Sequence, residues 1–344
     1  MTLPVSRRNF LLSSAAAAAA TRLTAQSKPV LPVRELNHMT LTCSDVKRSL
    51  EFYQGLFGMP IQTHQGVMPL LRVGDGPTFI ALGAAGQLGK PGINHLCLNT
   101  PGFSVDKTLE ILAAHGVTKA EPGGRGGGLS GGPLKVRIRM RGEESGGAKE
   151  GTPELYFGDP NGHVVQIQDT SYCGGSGLMG ETCKTEAAPK KGLLNARFIS
   201  HFTMMAHNLD EQVAFYTGLF GMKAQAYQGK APSLAVGAGP EFLFFMQVPA
   251  TVTPIIHHVC LAIPDFNADR VMKTLAEFGI QPRGDMAGAA RPLQSWISLR
   301  REDRGGAKEG TPELYMTDPD GISIQIQDVK YCGGGGTLGE ICKG

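Results

Sequence analysis

The stretch Gly146-Gly-Ala-Lys-Glu-Gly-Thr-Pro-Glu-Leu-Tyr156 occurs a second time, without a change, from Gly305 to Tyr315. Earlier in each half, Asn37-His-Met-Thr40 is echoed by Ser200-His-Phe-Thr203, and a Gly-Leu-Phe-Gly-Met sequence follows both. Self-similarity on this scale indicates two copies of one folding unit. Any chemistry that one copy carries is therefore expected at the matching place in the other.

The composition is that of a globular protein without a strong charge bias. The chain has 344 residues, a formal net charge of +3 and a pI near 8.4. This charge is too small to favour nucleic acid as a partner, and no basic run is interleaved with aromatic residues. No segment reaches the roughly 20 consecutive apolar residues of a membrane span, so no stable membrane anchor is expected. The length predicts two or three domains, each with its own core.

The N-terminus carries the pattern of an export signal. Ser6-Arg-Arg-Asn-Phe-Leu-Leu12 is a twin-arginine motif, followed by an Ala-rich stretch and a predicted cleavage point near Ala25 or Gln26. Residues 1–26 are interpreted as a twin-arginine signal peptide that the twin-arginine export machinery recognises. The mature protein is then periplasmic or secreted. The alternative is a disordered Ala-rich tail.

Four of the seven cysteines form two equally spaced pairs. Cys173 and Cys183 flank a glycine-rich run, and Cys332 and Cys342 flank its counterpart. In an oxidising compartment a disulfide within each loop is the favoured interpretation. A metal site and a bridge between the two domains are the alternatives. The other three cysteines lie in strand patterns and are predicted to be buried thiols, namely Cys43, Cys97 and Cys260.

Within each copy, the pattern of a strand, a helix and several short strands occurs twice. Residues 35–43 alternate like a strand, and Asp45 begins a helix whose apolar positions follow helical spacing. Asn208 and Glu211 form a capping box at the corresponding place in the second copy. The predicted fold is α+β, with two tandem domains that each contain two βαβββ modules. The predicted boundaries are 33–170 for the first domain, 171–195 for a Cys/Gly-rich loop and linker, 196–329 for the second domain and 330–344 for a C-terminal Cys/Gly-rich loop.

Strand alternation gives each predicted strand one apolar face and one face of polar, ligand-capable groups. A single histidine on a strand is more often structural than functional. Two histidines, a tyrosine and a glutamine on one concave face, found twice, favour a site. The polar-face residues are His38, Thr40, His95, Glu154, Tyr156, Gln166 and Gln168 in the first copy, and His201, Thr203, His258, Glu313, Tyr315, Gln325 and Gln327 in the second.

With these residues the chain resembles the vicinal oxygen chelate (VOC) superfamily, which includes glyoxalase I, bleomycin-resistance proteins and extradiol dioxygenases. The strongest shared motif is Tyr-x-x-Asp-Pro-Asx-Gly, at 156–162 and again at 315–321. The resemblance implies that two modules pair into an open, cupped, eight-stranded sheet around one divalent metal ion (Fe, Mn, Zn or Ni) per domain. The implied metal ligands are His38, His95 and Gln166 in the first domain, and His201, His258 and Gln325 in the second. Tyr156 and Tyr315 are the implied catalytic tyrosines, and the implied substrate-binding residues are Thr40, Gln168, Thr203 and Gln327.

Both copies depart from the family at the last ligand, where glutamate is usual and Gln166 and Gln325 stand here. An amide oxygen can coordinate a metal ion but removes one negative charge, so weaker metal binding is expected. We hypothesise that Glu154 and Glu313 supply the missing carboxylate as catalytic groups. The alternative is that each is an exposed glutamate at a strand end. Because both copies carry the same change, two sites of the same kind are expected.

The implied function is that of an exported metal enzyme that chelates two vicinal oxygens of a small-molecule substrate. The order of the histidines and the tyrosine spacing favour an extradiol-type dioxygenase. The absent carboxylate and the lack of a proton-donor histidine near the tyrosine favour a lyase or isomerase. A metal-free binding protein of the bleomycin-resistance type is the alternative from another functional class. The sequence leaves open whether the protein forms a homo-oligomer.

Overall fold

Two β-sheets contain most of the regular structure of the protein. The structure is a computed structural model, and it describes residues 28–121, 128–286 and 288–342. The predicted signal peptide, residues 1–26, lies outside the described residues. In the part of the chain that the structure describes, no helix has the length and apolar character needed to cross a membrane.

The first sheet is built from nine strands of the first half. They are β1 (Glu35–Cys43), β2 (Ile61–Gln65), β3 (Met68–Arg72), β4 (Phe79–Ala84), β5 (Gly92–Thr100), β6 (Thr118–Lys119), β7 (Lys135–Arg141), β8 (Thr152–Gly158) and β9 (Val164–Asp169). Their order across the sheet is β2-β3-β4-β1-β5-β9-β8-β7-β6.

The second sheet repeats this arrangement in the second half. Its strands are β10 (Phe198–Ala206), β11 (Ala224–Gln228), β12 (Ala231–Ala235), β13 (Phe242–Gln247), β14 (Ile256–Ile263), β15 (Gln281–Pro282), β16 (Gln294–Arg300), β17 (Thr311–Thr317) and β18 (Ser323–Asp328). The order β11-β12-β13-β10-β14-β18-β17-β16-β15 is that of the first sheet, strand for strand.

The α-helices of the described residues are short, and most of them follow the first strand of a module. They are α1 (Val46–Phe57), α2 (Ala85–Leu88), α3 (Val105–Ala114), α4 (Leu209–Phe220) and α5 (Ala268–Phe278). The Asp45 side chain caps α1 through the Arg48 N–H, and Asn208 caps α4 through the Glu211 N–H, as the sequence predicts. Both helices end at a glycine in the left-handed conformation, Gly58 and Gly221.

The two modules of each half share one sheet because their first strands pair. β1 runs antiparallel to β5, β1 is parallel to β4 of its own module, and β5 is parallel to β9. The α+β fold of paired modules is therefore confirmed. The sheets have nine strands instead of the expected eight, because the two-residue strands β6 and β15 add to the sheet edges. Strands this short carry no periodicity that a sequence could reveal.

The two halves share a continuous hydrophobic core. Phe52 of α1 packs edge-on against Phe278 of α5, with 5.7 Å between the ring centroids. The Tyr53 hydroxyl donates to Asp318 Oδ2 at 3.1 Å, and the Tyr216 hydroxyl donates to Asp159 Oδ2 at 3.1 Å. The aspartates of the Tyr-x-x-Asp-Pro motifs thus join each half to a helix of the other.

Candidate metal centre

Three neighbouring strands bring three donor atoms together in the first half. His38 lies on β1, His95 on β5 and Gln166 on β9, which are adjacent in the sheet. His38 Nε2 is 3.0 Å from Gln166 Oε1, and His95 Nε2 is 3.1 Å from the same oxygen. All three side chains are at least 95 % buried. The predicted ligand set of the first half is therefore brought to one point on the sheet.

The partners of the other ring nitrogen fix the proton of His38. Asn37 Nδ2 donates to the Tyr172 carbonyl at 3.0 Å, so Asn37 Oδ1 is directed at His38 Nδ1, 2.6 Å away. His38 Nδ1 must then carry the proton, which leaves a lone pair on Nε2. On His95, Nδ1 meets Asn94 Oδ1 at 2.9 Å and Nε2 is 3.3 Å from the Thr40 hydroxyl. With the proton on Nδ1 in each ring, both imidazoles direct lone pairs at Gln166 Oε1.

Burial keeps these rings neutral. Desolvation, followed by the neighbouring His95, lowers the pKa of His38 well below its usual range. Desolvation lowers the pKa of His95 to about 4, against a smaller opposing effect of the Gln166 oxygen, which would accept from the protonated ring. Neutral imidazole is the form that binds metal ions.

The donor set fits a divalent cation. Two imidazole lone pairs and an amide oxygen meet with no proton between them, and Gln166 Nε2 is buried without a hydrogen-bond partner among the described residues. Imidazole and oxygen ligands suit Zn, Fe and Ni, and oxygen ligands suit Mn. Among residues 28–121, 128–286 and 288–342, no three His, Cys, Asp or Glu side chains gather into a metal-binding group. Any metal ion here would therefore depend on the glutamine.

The second half repeats the donor set. His201 Nε2 and His258 Nε2 each lie 3.1 Å from Gln325 Oε1, and Gln325 Nε2 is likewise buried without a partner in the described part of the chain. Desolvation lowers the pKa of His201 to about 3. The supporting residues differ, because Ser200 replaces Asn37 and His257 replaces Asn94.

A buried quartet lies beside the first donor set: Arg141, Glu154, Tyr156 and Tyr172. Glu154 Oε1 accepts from Arg141 Nε at 2.6 Å and from the Tyr172 hydroxyl at 3.0 Å, while Oε2 accepts from the Tyr156 hydroxyl at 3.0 Å. Arg141 and Glu154 are each only 1 % exposed. Glu154 is thus a buried residue and not an exposed one at a strand end. Its carboxylate holds Tyr156, whose ring lies edge-on to His95 at 5.3 Å.

The second half contains the matching quartet of Arg300, Glu313, Tyr315 and Tyr331. Arg300 Nε donates to Glu313 Oε1 at 2.7 Å, the Tyr331 hydroxyl donates to the same oxygen at 2.9 Å, and the Tyr315 hydroxyl reaches Oε2 at 3.4 Å. The sequence reasoning missed the arginines and the second tyrosines. Their signal was available, since an arginine precedes each identical run and a Tyr-Cys-Gly-Gly sequence follows each half.

Disulfide bonds close both glycine-rich loops, as the favoured interpretation predicts. They join Cys173 to Cys183 and Cys332 to Cys342, and the remaining cysteines are buried free thiols. The first loop contributes the Gly175 carbonyl, which accepts from Arg141 Nη2 at 2.9 Å. It also fixes Tyr172, whose ring lies 5.6 Å from that of His38. Each disulfide loop therefore supports the arginine and the second tyrosine of the buried quartet in its own half.

A cavity of about 260 Å³ opens beside the first donor set. His38, Thr40, His95, Tyr156 and Gln166 line it together with apolar residues of the surrounding strands and loops, namely Val67, Met68, Phe79, Ala81 and Leu129. We refer to this cavity and its walls as the first cup. The second cup is the corresponding face of the second sheet, around His201, His258 and Gln325.

The other predicted substrate-binding residues are placed differently. Gln168 lies outside the lining of the cavity, and its Nε2 donates to the Pro153 carbonyl at 3.1 Å. Gln327 makes the equivalent bond to Pro312, and Thr203 is buried beside the second donor set. Thr40 therefore remains the predicted substrate-binding residue with direct access to the first cup.

The first half matches a known superfamily. Residues 35–167 match the family model described as the Glyoxalase/Bleomycin resistance protein/Dioxygenase superfamily. This region contains nearly the whole first sheet. No curated protein matches the sequence.

Solved structures resemble the whole two-sheet arrangement at low sequence identity. The 2,3-dioxygenase LapB from Pseudomonas sp. KL28 is 13 % identical, with a TM-score of 0.59 over 87 % of this chain and 93 % of that one. Homoprotocatechuate 2,3-dioxygenase from Arthrobacter globiformis is 14 % identical, with a TM-score of 0.57 over 88 % and 82 %. The Mn(II)-bound glyoxalase from Novosphingobium aromaticivorans is 14 % identical, with a TM-score of 0.54 over 86 % and 82 %. The likeness establishes the fold alone.

Proposed function

We propose that the protein is an exported, divalent-metal-dependent enzyme that binds a small substrate through two vicinal oxygens and cleaves a dihydroxylated ring in the extradiol manner. The observation that carries the proposal is the meeting of two imidazole lone pairs and an amide oxygen, with no proton between them. The dioxygenases named above and the Mn(II)-bound glyoxalase share this two-sheet fold. The order of the histidines and the ten-residue spacing from Tyr156 to Gln166 favour ring cleavage over a lyase or isomerase.

His38, His95 and Gln166 would hold the metal ion in the first half, and their counterparts would hold it in the second. When bound, the ion supplies Lewis-acid activation of the two substrate oxygens. The Asn37 and Asn94 oxygens keep the imidazole protons on Nδ1, which orients both rings toward the ion. The amide adds no charge to the set, so we expect weaker binding than a carboxylate would give.

Tyr156 is the chain's polar contact for the substrate in the first cup. Its hydroxyl donates to Glu154 Oε2, so the lone pairs of the oxygen remain available to accept from a substrate hydroxyl. Burial, reinforced by the Glu154 carboxylate, raises the pKa of Tyr156 well above its usual range, so the phenol stays protonated. Phe79 and Leu129 supply apolar walls that limit access of water to this point.

The two disulfides favour an oxidising compartment, which agrees with export by the twin-arginine route. This route carries proteins that have already folded, so a metal ion acquired in the cytoplasm would be retained. Periplasmic or secreted location is thus part of the proposal.

Oxygen consumption by the metal-loaded protein tests the proposal. Samples loaded separately with Fe²⁺, Mn²⁺, Zn²⁺ or Ni²⁺ are offered catechol and protocatechuate, and dissolved oxygen and ring-opened product are followed. We expect oxygen uptake with Fe²⁺ or Mn²⁺, its loss in His95→Ala, and a reduced rate in Tyr156→Phe. Metal-loaded protein that consumes no oxygen but isomerises or cleaves an α-keto hemithioacetal would replace the dioxygenase assignment by the lyase or isomerase one.

A metal-free binding protein is the second candidate, and the glutamine favours it. If the Gln166 side chain rotates, its NH₂ group donates to both imidazole lone pairs, and the site is satisfied without an ion. A glutamate at this position would leave a buried, uncompensated charge in the metal-free protein. Catechol binding that is unchanged after complete chelation, together with the absence of turnover, would support this candidate against the enzyme.

A further inference from the structure

The two cups differ in the side chains of β4 and of its counterpart β13, although their donor sets match. In the first cup, Ala81 and Gly83 of β4 line the cavity. In the register of the sheets, Thr40 pairs with Ala81 and Thr203 pairs with Phe244 in the same parallel manner. Met246 likewise takes the position of Gly83. A phenyl ring and a thioether chain therefore occupy the face where the first cup has a methyl group and a hydrogen.

The strand opposite also differs between the cups. Trp296 pairs with Tyr315 in the second sheet, whereas Arg137 pairs with Tyr156 in the first. The Trp296 ring is stacked on Tyr315, with centroids 5.5 Å apart and planes 13° apart, and the Arg283 guanidinium lies 5.6 Å from the Trp296 ring. Arg137 instead donates to the Gly128 carbonyl. Tyr315 thus has an aromatic neighbour that Tyr156 lacks.

The ligand side chains themselves do not account for the difference. His38 and His201 are both 2 % exposed, and Gln166 and Gln325 are both 1 % exposed. The contrast lies in the space beside the donors, where a substrate ring would sit. The first cavity, at about 260 Å³, falls just below the usual 300–1,000 Å³ range of pockets for drug-sized ligands, so it suits a single small ring.

We infer that the first cup alone binds the substrate ring, and that Phe244, Met246 and Trp296 close the second cup to it. The inference rests on the proposed function for the class of ligand, a catechol-type ring with two vicinal oxygens. It revises the expectation of two equal sites, because the second half keeps the donor atoms and places larger side chains beside them. Ala81 and Gly83 become the residues that determine access.

Counting bound ligand tests this inequality. 4-Nitrocatechol is titrated under anaerobic conditions into the mature protein, both loaded with Mn²⁺ and stripped of metal, and its absorbance and heat of binding give the number of sites. We expect about one site per chain in the wild type. We expect Ala81→Phe/Gly83→Met to weaken binding at least about tenfold, a change of about 1.4 kcal/mol, and Phe244→Ala/Met246→Gly to add a second site.

Controls separate a blocked cup from a misfolded protein. Ala84→Met enlarges the exposed residue next to Gly83 on the opposite face of β4, and it should leave binding unchanged. Ala81→Leu is a milder block if the double variant is unstable. Two equal sites in the wild type, no site, or one site that the β4 changes do not affect would overturn the inference. The metal content of the same samples tests the proposed function separately. The number of 4-nitrocatechol sites tests the inference, because it is counted both with and without metal.

Discussion

Replacing Glu154 by glutamine removes the charge that balances a fully buried arginine. Arg141 is 1 % exposed, and its Nε lies 2.6 Å from Glu154 Oε1. Its guanidinium also donates to the carbonyls of Gly175 at 2.9 Å and Ser145 at 3.5 Å, which offer dipoles but no charge. Removing one partner of a buried ion pair costs about 3–5 kcal/mol. This is a large part of the roughly 5–15 kcal/mol that stabilises a typical domain.

We therefore expect Glu154→Gln to lower the free energy of unfolding by about 3–5 kcal/mol, measured by urea denaturation at pH 7. The matched control is Glu150→Gln, because Glu150 is an exposed glutamate four residues earlier. It should change stability by less than about 0.5 kcal/mol. The double variant Arg141→Met/Glu154→Leu should recover most of the loss, since it removes both charges.

The same variant separates the two roles considered for Glu154. As the residue that holds Tyr156, its replacement should slow turnover and leave the metal content unchanged. As the missing carboxylate of the metal site, its replacement should empty that site. A stability loss below about 1 kcal/mol for Glu154→Gln would refute the assignment of a buried, charge-balancing pair.

Three further predictions concern other parts of the molecule. Burial raises the pKa of Asp318 to about 6, against hydrogen bonds from the Ile322 and Asp320 N–H groups and Tyr53, so its contribution to stability is full below about pH 4 and is lost as the pH rises through 6. The free energy of unfolding of the wild type, measured relative to that of Asp318→Asn, should therefore fall by up to about 3 kcal/mol between pH 4 and 7. The control is Asp210→Asn at an exposed position, for which the same difference should not change with pH. Removing the first disulfide by Cys173→Ser/Cys183→Ser should cost about 2–4 kcal/mol in urea denaturation, because it frees the loop that supports Arg141 and Tyr172; a cost near zero would contradict that support. Arg7→Lys/Arg8→Lys should retain the precursor in the cytoplasm, as cell fractionation would show, whereas Arg22→Lys should not; normal export of the double variant would exclude the twin-arginine route.

The sequence predicted the elements and the polar strand faces because both depend on local periodicity, whereas the choice of ligands on those faces came from the family resemblance. Alternation on β1, β5 and β9 places His38, His95 and Gln166 on one face, and the repeat places their counterparts. The helix starts at Asp45 and Asn208 were readable from capping chemistry. The disulfide pairs followed from equal spacing in the two loops.

The remaining features depend on contacts between distant residues. Alternation puts Glu154 on the polar face, but the ion pair with Arg141 and the bond from Tyr172 depend on how β7 and the disulfide loop pack. Gln168 lies on the predicted polar face of its strand, yet its amide donates to the Pro153 carbonyl of the neighbouring strand. The partner helices of Asp159 and Asp318 lie in the opposite halves, which no local pattern could reveal.

The metal content of the mature protein is the most direct test of the central claim, that each half holds a divalent ion through two histidines and a glutamine. The protein is exported with its own signal, purified without chelators and analysed for Fe, Mn, Zn and Ni. We predict about two equivalents per chain in the wild type, about one in His38→Ala and almost none in His38→Ala/His201→Ala, because each imidazole is one of the three protein donors proposed for its site. Wild-type protein with less than about a tenth of an equivalent per half, after incubation with each of the four ions, would contradict the claim.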